Sequence, residues 1–365
     1  MRTSGSSGRL PLVSIILASY NEIANIQGCL DSLRNQKTPD FALEILAVDG
    51  GSTDGTLEYL EKVAAEDPRV RICKNEKRTA PSAFNIGIRA SRGEFICIFG
   101  AHTIYAENYV AVCLQELLEK DAAVCSARVF TEPASRQIQA RLVAYTFSHP
   151  FGSSGNSWRT QPEGYGEALG YMIFRKEVLL EVGGYSEELI RNQDNDVNEK
   201  IRGLGYKLYC TWQTHCFYQP KETIGELLKY AYRNGFWNLI SFKQNSSSMH
   251  FRHFVPFLFV LGLLGTMLLA ILSPILSIPG HEFLALPFLA ILLLHLGCGT
   301  IAALQVATSK KDWCALFLPF VFLGFHAAYG LGTFNAFLSG AKPPAIVRQS
   351  LSAKESADIA SSSST

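Results

Sequence analysis

Hydrophobic and polar positions follow two regimes along this chain. In the first two-thirds, short apolar runs alternate with stretches of helical spacing. Residues 12–18 (LVSIILA) are long enough for a buried strand and end at Ser19-Tyr20-Asn21-Glu22. Ile26, Cys29, Leu30 and Leu33 then recur at helical spacing through residues 25–35. A second strand over residues 45–48 stops at Asp49 and a Gly/Ser/Asp cluster, in which Ser52, Thr53 or Asp54 can cap a helix starting near Thr56. The pattern predicts further strands at 70–73, 94–99 and 122–128, and helices at 57–65, 80–90 (with Pro81 in its first turn) and 107–120. Strand–helix alternation of this kind implies parallel strands joined by right-handed crossovers, hence an α/β domain.

Beyond Arg252 the regime changes. Residues 254–279, 283–308 and 314–340 contain no Asp, Glu, Lys or Arg, and each exceeds the roughly 20 residues needed to cross a hydrocarbon core. Ahead of them, residues 221–253 mix apolar and aromatic positions with Lys229, Arg233 and Lys243, which reads as an amphipathic helix at a membrane interface, apolar side toward lipid. Lys310 and Lys311 sit between the second and third spans, whereas residues 280–282 carry no Lys or Arg, so the lysine loop is expected in the cytoplasm. A third full crossing would put the tail, with Lys342, Arg348 and Lys354, on the other side; either the glycine-rich third segment is re-entrant or the rule fails there. Residues 1–10 lack the apolar stretch of a signal peptide and read, like the Ser-rich tail of residues 341–365, as disordered, which leaves the large domain in the cytoplasm.

Composition narrows the field. A net charge of +1 gives no hint of a nucleic-acid partner. The nine cysteines lack ligand spacing and several lie inside apolar runs, so they read as reduced core residues.

Tyr20 and Asp49 would stand at the carboxyl ends of two adjacent strands, where open α/β sheets bind ligands: a ring to stack on and an acid to accept donors from a base or ribose. Neither strand is followed by a glycine-rich phosphate fingerprint. Lys77-Arg78-Thr79 precede the Pro81 helix and offer an anion seat at its start, or a solvated pair of loop charges.

SIILASYNE, AVDGGSTDGT, PSAFNIGIRASRGEFI and GAHT, in this order and spacing, resemble family 2 glycosyltransferases of the GT-A fold, in particular the membrane-anchored succinoglycan-biosynthesis type. The likeness spans about residues 10–240, including a GT-A domain over residues 11–220. It implies a Rossmann-like mixed sheet followed by transmembrane helices, and an enzyme moving a sugar from a nucleoside diphosphate, usually UDP, with inversion. By this resemblance Tyr20 stacks near the uracil, Asp49 reads the base or ribose, and Ser19 and Glu22 line the same rim. Arg191-Asn192-Gln193-Asp194-Asn195-Asp196 resembles the family's Glu-Asp pair with Gln193 in place of the first acid. Asp194 is then the catalytic base, with Asp196 as the fallback.

The chain departs from the family at Gly100-Ala101-His102, where Asp-x-Asp or Asp-x-His is usual. His102 falls at the last metal-binding position and would hold Mn²⁺ or Mg²⁺, or donate to a phosphate. The expectation is an inner-membrane, multi-pass hexosyltransferase with a nucleotide-sugar donor and a polyprenyl-linked glycan acceptor, acting singly or beside other polysaccharide-assembly proteins. Transfer to a bare polyprenyl phosphate and a non-catalytic scaffold are the alternatives; Arg233-Asn234-Gly235-Phe236-Trp237, where processive synthases carry Gln-x-x-Arg-Trp, favours addition of one sugar.

Overall fold

The computed structural model describes residues 10–276 and 283–340 of the chain. The disordered N-terminus and tail, the charge count of residues 280–282 and the end of the first span, as expected from the sequence, fall on residues 1–9, 277–282 and 341–365, outside the described residues.

The strands are β1 (Leu12–Ser19), β2 (Ala42–Asp49), β3 (Val70–Lys74), β4 (Phe95–Gly100), β5 (Thr103–Tyr105), β6 (Val124–Thr131), β7 (Gly164–Tyr165), β8 (Ile173–Arg175) and β9 (Leu208–Tyr218). The helices are α1 (Ile23–Arg34), α2 (Thr56–Glu66), α3 (Ala80–Ala90), α4 (Tyr109–Glu119), α5 (Ile138–Ser148), α6 (Pro150–Ser153), α7 (Lys176–Glu181), α8 (Gln193–Gly203), α9 (Ile224–Gln244), α10 (Val255–Ile275), α11 (Leu286–Lys310) and α12 (Leu318–Leu338). They divide into two compact units. Of the described residues, one holds 10–132, 156–186 and 193–219; the other holds 133–155, 187–192, 220–276 and 283–340.

The first unit is built on one sheet in the order β3-β2-β1-β4-β8-β6-β9-β5, with β7 also paired to β9. The pairs among β1 to β4 are parallel, while β8 runs antiparallel to β4 and β6. Alternation along the strands explains why both faces are buried. Val13, Ile15 and Leu17 join Ile45, Ala47, Cys97 and Phe99 beneath α1 and α4, while Ile16, Leu46, Val48, Ile96 and Ile98 pack on the other face against Phe84, Ile88, Val197 and Ile201 of α3 and α8. A sheet covered on both faces needs continuous apolar strands, hence the unbroken runs in the sequence. Gly87 of α3 is pressed so close to β1 that a Cβ there would meet Ile16 at 2.4 Å.

In the second unit α10, α11 and α12 are long and apolar enough to cross a membrane. The third segment is a continuous helix, not a re-entrant hairpin. Its glycines bring backbones together: a Cβ on Gly332 would lie 2.0 Å from the Tyr232 carbonyl, and one on Gly235 would lie 1.9 Å from that of Tyr329. This corrects part of the expectation for α9. Its buried positions are Leu227, Ala231, Gly235, Trp237, Asn238, Ile240 and Ser241, a mixed face packed on α12, so its apolar positions are not simply turned to lipid.

Candidate active site

The pairing register brings the ends of three strands to one edge: Ser19 lies opposite Asp49, and Ala18 opposite Gly100. The two loops leaving β1 and β2 are laced together. The Asn21 N–H donates to Ser52 Oγ at 2.9 Å and the Thr53 N–H to Asn21 Oδ1 at 2.9 Å; the Glu22 N–H reaches Thr56 Oγ1 at 2.8 Å and the Ile23 N–H Asp54 Oδ2 at 3.1 Å. Asp54 also receives the Thr56 N–H at 3.1 Å, so it serves the helix start.

The geometry gives Asp49 a structural duty in the turn. Its Oδ1 accepts the N–H groups of Gly51 and Ser52, both at 2.8 Å, and its Oδ2 accepts the hydroxyls of Ser19 at 3.0 Å and Ser52 at 2.7 Å. A carboxylate offers about four acceptor sites, and all are used. At 2% exposure Asp49 is a staple of the turn, and Ser19, also buried, is spent on it. The next residue, Gly50, is also buried and lies beside Tyr20. A Cβ there would meet the Tyr20 ring at 3.0 Å, so the missing side chain lets that ring lie against the turn. Tyr20 is 44% exposed, and the Arg78 guanidinium stands 5.7 Å from its ring centroid. Ring and cation together form an open shelf for a flat, anionic ligand.

Arg78, at φ 55°, leads into α3. No side chain caps that helix; the Thr79 hydroxyl and Asn75 Oδ1 are buried there without hydrogen-bond partners. Open backbone N–H groups, an unsatisfied hydroxyl and a nearby cation suit a phosphate.

His102 does not stand as a lone metal ligand. Its Nε2 lies 2.9 Å from Glu22 Oε1, and its Nδ1 lies 2.9 Å from Asn25 Nδ2. Since the Asn25 amide is a donor, the tautomer with its proton on Nε2 satisfies both contacts. Glu22 is likewise committed to His102 and Asn25, not turned to the rim alone. The absence of an acid at Gly100 also has a steric counterpart, because a Cβ there would lie 3.2 Å from the Tyr171 ring. Among the described residues no three His, Cys, Asp or Glu side chains gather to hold a metal ion. These side chains do not by themselves make a metal centre.

Asp194 is the second residue of α8, only partly exposed, and followed by Asp196 in the same first turn. Burial pushes its carboxyl up to about 6, and the Tyr185 hydroxyl beside it pulls partway back. That hydroxyl is itself buried, and no other partner stands against it among the described residues. Tyr185 is held to α3 by a reciprocal pair: the Asn85 amide donates to the Tyr185 carbonyl at 2.8 Å, and the Tyr185 N–H donates to Asn85 Oδ1 at 2.9 Å. Asp194 is thus tied, through Tyr185 and α3, to the helix whose start carries Arg78. Asp196 is removed as a fallback base: at 1% exposure it is salt-bridged to Lys200 at 2.8 Å and accepts the Ser186 hydroxyl at 2.6 Å. Tyr185, Asn85 and Asn75 were not singled out by sequence reasoning; for Tyr185 the one signal was the Gly183-Gly184 pair, both at positive φ, that turns the chain into it.

Residues 14–183 match the family model for glycosyl transferase family 2. The chain is 27% identical over 242 residues to the succinoglycan biosynthesis protein ExoA of Rhizobium meliloti, covering 66% of this chain and 70% of that one. It is 26% identical over 228 residues to a dolichyl N-acetyl-α-D-glucosaminyl phosphate 3-β-D-2,3-diacetamido-2,3-dideoxy-β-D-glucuronosyltransferase of Methanococcus voltae, covering 60% and 70%. Among solved structures, a mannosyltransferase of Pyrobaculum calidifontis, in complex with GDP-mannose and Mn²⁺, aligns over 90% of this chain and 87% of its own with TM-score 0.55 and 19% identity, which establishes a shared fold. The chain is therefore a glycosyltransferase with a family 2 domain of the GT-A fold, followed by three helices fit to anchor it in a membrane.

Proposed function

We propose that this enzyme transfers one hexose, with inversion, from a UDP-sugar to a polyprenyl-linked glycan during surface-polysaccharide synthesis, with its catalytic unit in the cytoplasm. The observation that carries the reading is the Asp194 carboxyl, at a helix start and pushed up to about 6, because an inverting displacement needs one base poised near neutrality. The acceptor oxygen forms a bond to the anomeric carbon as the carbon–oxygen bond to the diphosphate breaks. The electron pair leaves with the nucleoside diphosphate, and the acceptor proton passes to Asp194. Tyr20 stacks on the base, and Arg78 with the start of α3 takes up the charge of the departing diphosphate. A relative whose name specifies a dolichyl-phosphate-linked sugar as acceptor, and the apolar helices of this chain, support a lipid-borne acceptor. Holding enzyme and acceptor in one membrane lowers the entropic cost of their encounter.

The fold neighbour's Mn²⁺ makes a divalent cation a reasonable companion of the donor. Here such an ion would be carried largely by the diphosphate, and His102 would meet it only by giving up Glu22 or Asn25. The decisive experiment is Asp194→Asn in membranes supplied with labelled UDP-sugars and GDP-mannose. Transfer into lipid should fall by about 10²–10⁴; undiminished transfer removes the proposed base. Gly100 favours one second reading, a non-catalytic member of an assembly complex. That reading prevails if the purified protein binds nucleotide sugars yet neither transfers nor hydrolyses them with Mg²⁺ or Mn²⁺.

A further inference from the structure

Helices α10 and α11 are antiparallel neighbours. Phe259 stacks on His295 with ring centroids 4.7 Å apart, and a Cβ on Gly262 would lie 3.4 Å from Ile291. Continued in this register, Val255, the first residue of α10, stands level with about Gly299 of α11. Helix α12 meets the pair at four points. A Cβ on Gly299 would lie 3.1 Å from Pro319, and His326 Nδ1 lies 2.9 Å from His295 Nε2. A Cβ on Gly330 would run into the Pro256 carbonyl, and the Phe334 ring lies 6.5 Å from that of Phe257. From Pro319 to Phe334 is about 22 Å of helix at 1.5 Å per residue, yet the partners all stand level with residues 255–259 of α10, about 6 Å of its axis. The third apolar helix therefore passes across the other two near one end.

Helix α9 lies beside α12 from Gly324 onward. A Cβ on Gly324 would lie 3.4 Å from Leu228, Thr333 Oγ1 donates to the Gly235 carbonyl at 2.9 Å, and Lys243 Nζ donates to the Gly340 carbonyl at 3.3 Å. Lys229, Arg233 and Lys243 of α9 are exposed. A polar stripe of the same helix takes up two neighbouring residues: Arg191 Nη1 donates to Asn234 Oδ1 at 2.7 Å, and Asn192 Nδ2 donates to Asn238 Oδ1 at 3.2 Å and to Ser241 Oγ at 3.1 Å. Were α12 to span the bilayer, it would draw Lys229 and Arg233 into hydrocarbon, where charge is costly. The surface of α12 divides accordingly. Gly332 and Thr333 are buried against α9, whereas Phe320, Leu331, Phe337 and Leu338 are exposed. Past Gly299, α11 turns polar at Gln305, Thr308, Ser309 and Lys310, which puts the water boundary at this same end.

We infer that α12 is an in-plane helix and not a third crossing. It rests at the level where α10 begins, with Phe320, Leu331, Phe337 and Leu338 forming a lipid-binding surface at the boundary of headgroups and acyl chains, and with α9 behind it toward water. The chain then crosses twice, through α10 and α11, and α12 ends on the side where α10 starts and α11 finishes. The charges of the sequence agree. Lys342, Arg348 and Lys354 follow Gly340, and an even number of crossings lets them share a side with Lys310 and Lys311, so neither a re-entrant segment nor a breach of the positive-inside rule is needed.

The test uses the full-length protein in inside-out and right-side-out vesicles, and none of its readouts needs turnover. Ser309→Cys marks the end of α11, Phe283→Cys the approach to its start and Ser339→Cys the end of α12, all three at exposed positions. A membrane-impermeant maleimide is applied and the tagged peptide identified by mass, so the native thiols stay in place. Ser339→Cys should be tagged in the same vesicles as Ser309→Cys, and Phe283→Cys in the opposite ones. Tagging of Ser339→Cys together with Phe283→Cys overturns the inference, and so does finding Ser309→Cys and Phe283→Cys on one side, because α11 then does not cross. Depth supplies an independent reading: Phe320, Leu331 or Leu338 is replaced, one at a time, by a ketone-bearing residue carrying a nitroxide, and its access to dissolved oxygen and to a polar nickel complex is compared. The three depths should agree within about one helical turn, whereas a spanning α12 would put Leu331 about 16 Å deeper than Phe320. A difference above about 10 Å, less than two turns of helix, overturns the in-plane placement. Three labels open to the nickel complex and closed to oxygen overturn the lipid-binding surface.

Discussion

Asp194 and Asp49 show how environment assigns opposite duties to the same side chain. Asp49 is surrounded by donors that consume all its acceptor capacity, so it holds a turn. Asp194 is desolvated, so its carboxyl rises to about 6, with the Tyr185 hydroxyl pulling it partway back. As the proposed base, Asp194 must be ionised to act, so activity should be lost as pH falls through about 6 and be complete above it. The Tyr185 hydroxyl favours the ionised form, so Tyr185→Phe should move this acid limb to higher pH with the plateau retained; a pH–rate profile of both enzymes checks the direction. Asp49→Asn should instead act mainly through folding, because an amide cannot accept what the four donors offer, lowering stability by about 2 kcal/mol. Thermal melts with and without nucleotide separate that loss from a direct binding role.

At the scale of elements, the strands were legible because both their faces are apolar, and α3 because Pro81 and its apolar spacing mark its start and inner face. The short strands β5, β7 and β8 were not: two or three residues carry no period, and only their neighbours in the sheet make them strands. The polar stripe of α9 was hidden for a related reason, since Asn234, Asn238 and Ser241 look like a solvated face until the segment that bonds to them is in place. One buried acid ties elements of the first unit. Glu44 of β2 accepts from Ser14 at 2.7 Å, from the Arg92 N–H at 2.7 Å and from the Arg71 side chain at 3.1 Å. Burial raises its carboxyl, but the bonds from Ser14 and Arg92 together outweigh this and hold it below its ordinary value. A carboxyl depressed in the folded state contributes stability that is present above its unfolded value and lost as pH falls toward the folded one. Glu44→Gln should cost about 2 kcal/mol at pH 7, discounted for the partly exposed arginines, and should flatten the decline in stability below about pH 4.5. Denaturant titrations at pH 7 and pH 3.5 provide the check.

For the whole molecule, the chain carries a glycosyltransferase domain and three helices long and apolar enough to cross a membrane. With the catalytic unit in the cytoplasm, as proposed, the Lys310-Lys311 turn that ends α11 lies on the same side. Trypsin should then cut there in inside-out vesicles and spare it in right-side-out ones; the reverse result would invert the topology. By itself the sequence determined the α/β alternation, the family likeness and the three apolar helices, because periodicity, motif order and span length are local properties that a chain carries before it folds. Only the tertiary structure decided that Asp49 is a staple of its turn, that Asp194 is desolvated beside Tyr185, that His102 is paired with Glu22 and Asn25, and that Gly50 lies against the Tyr20 ring. Those outcomes depend on desolvation and on the count of donors around each group, and residues distant along the chain supply both.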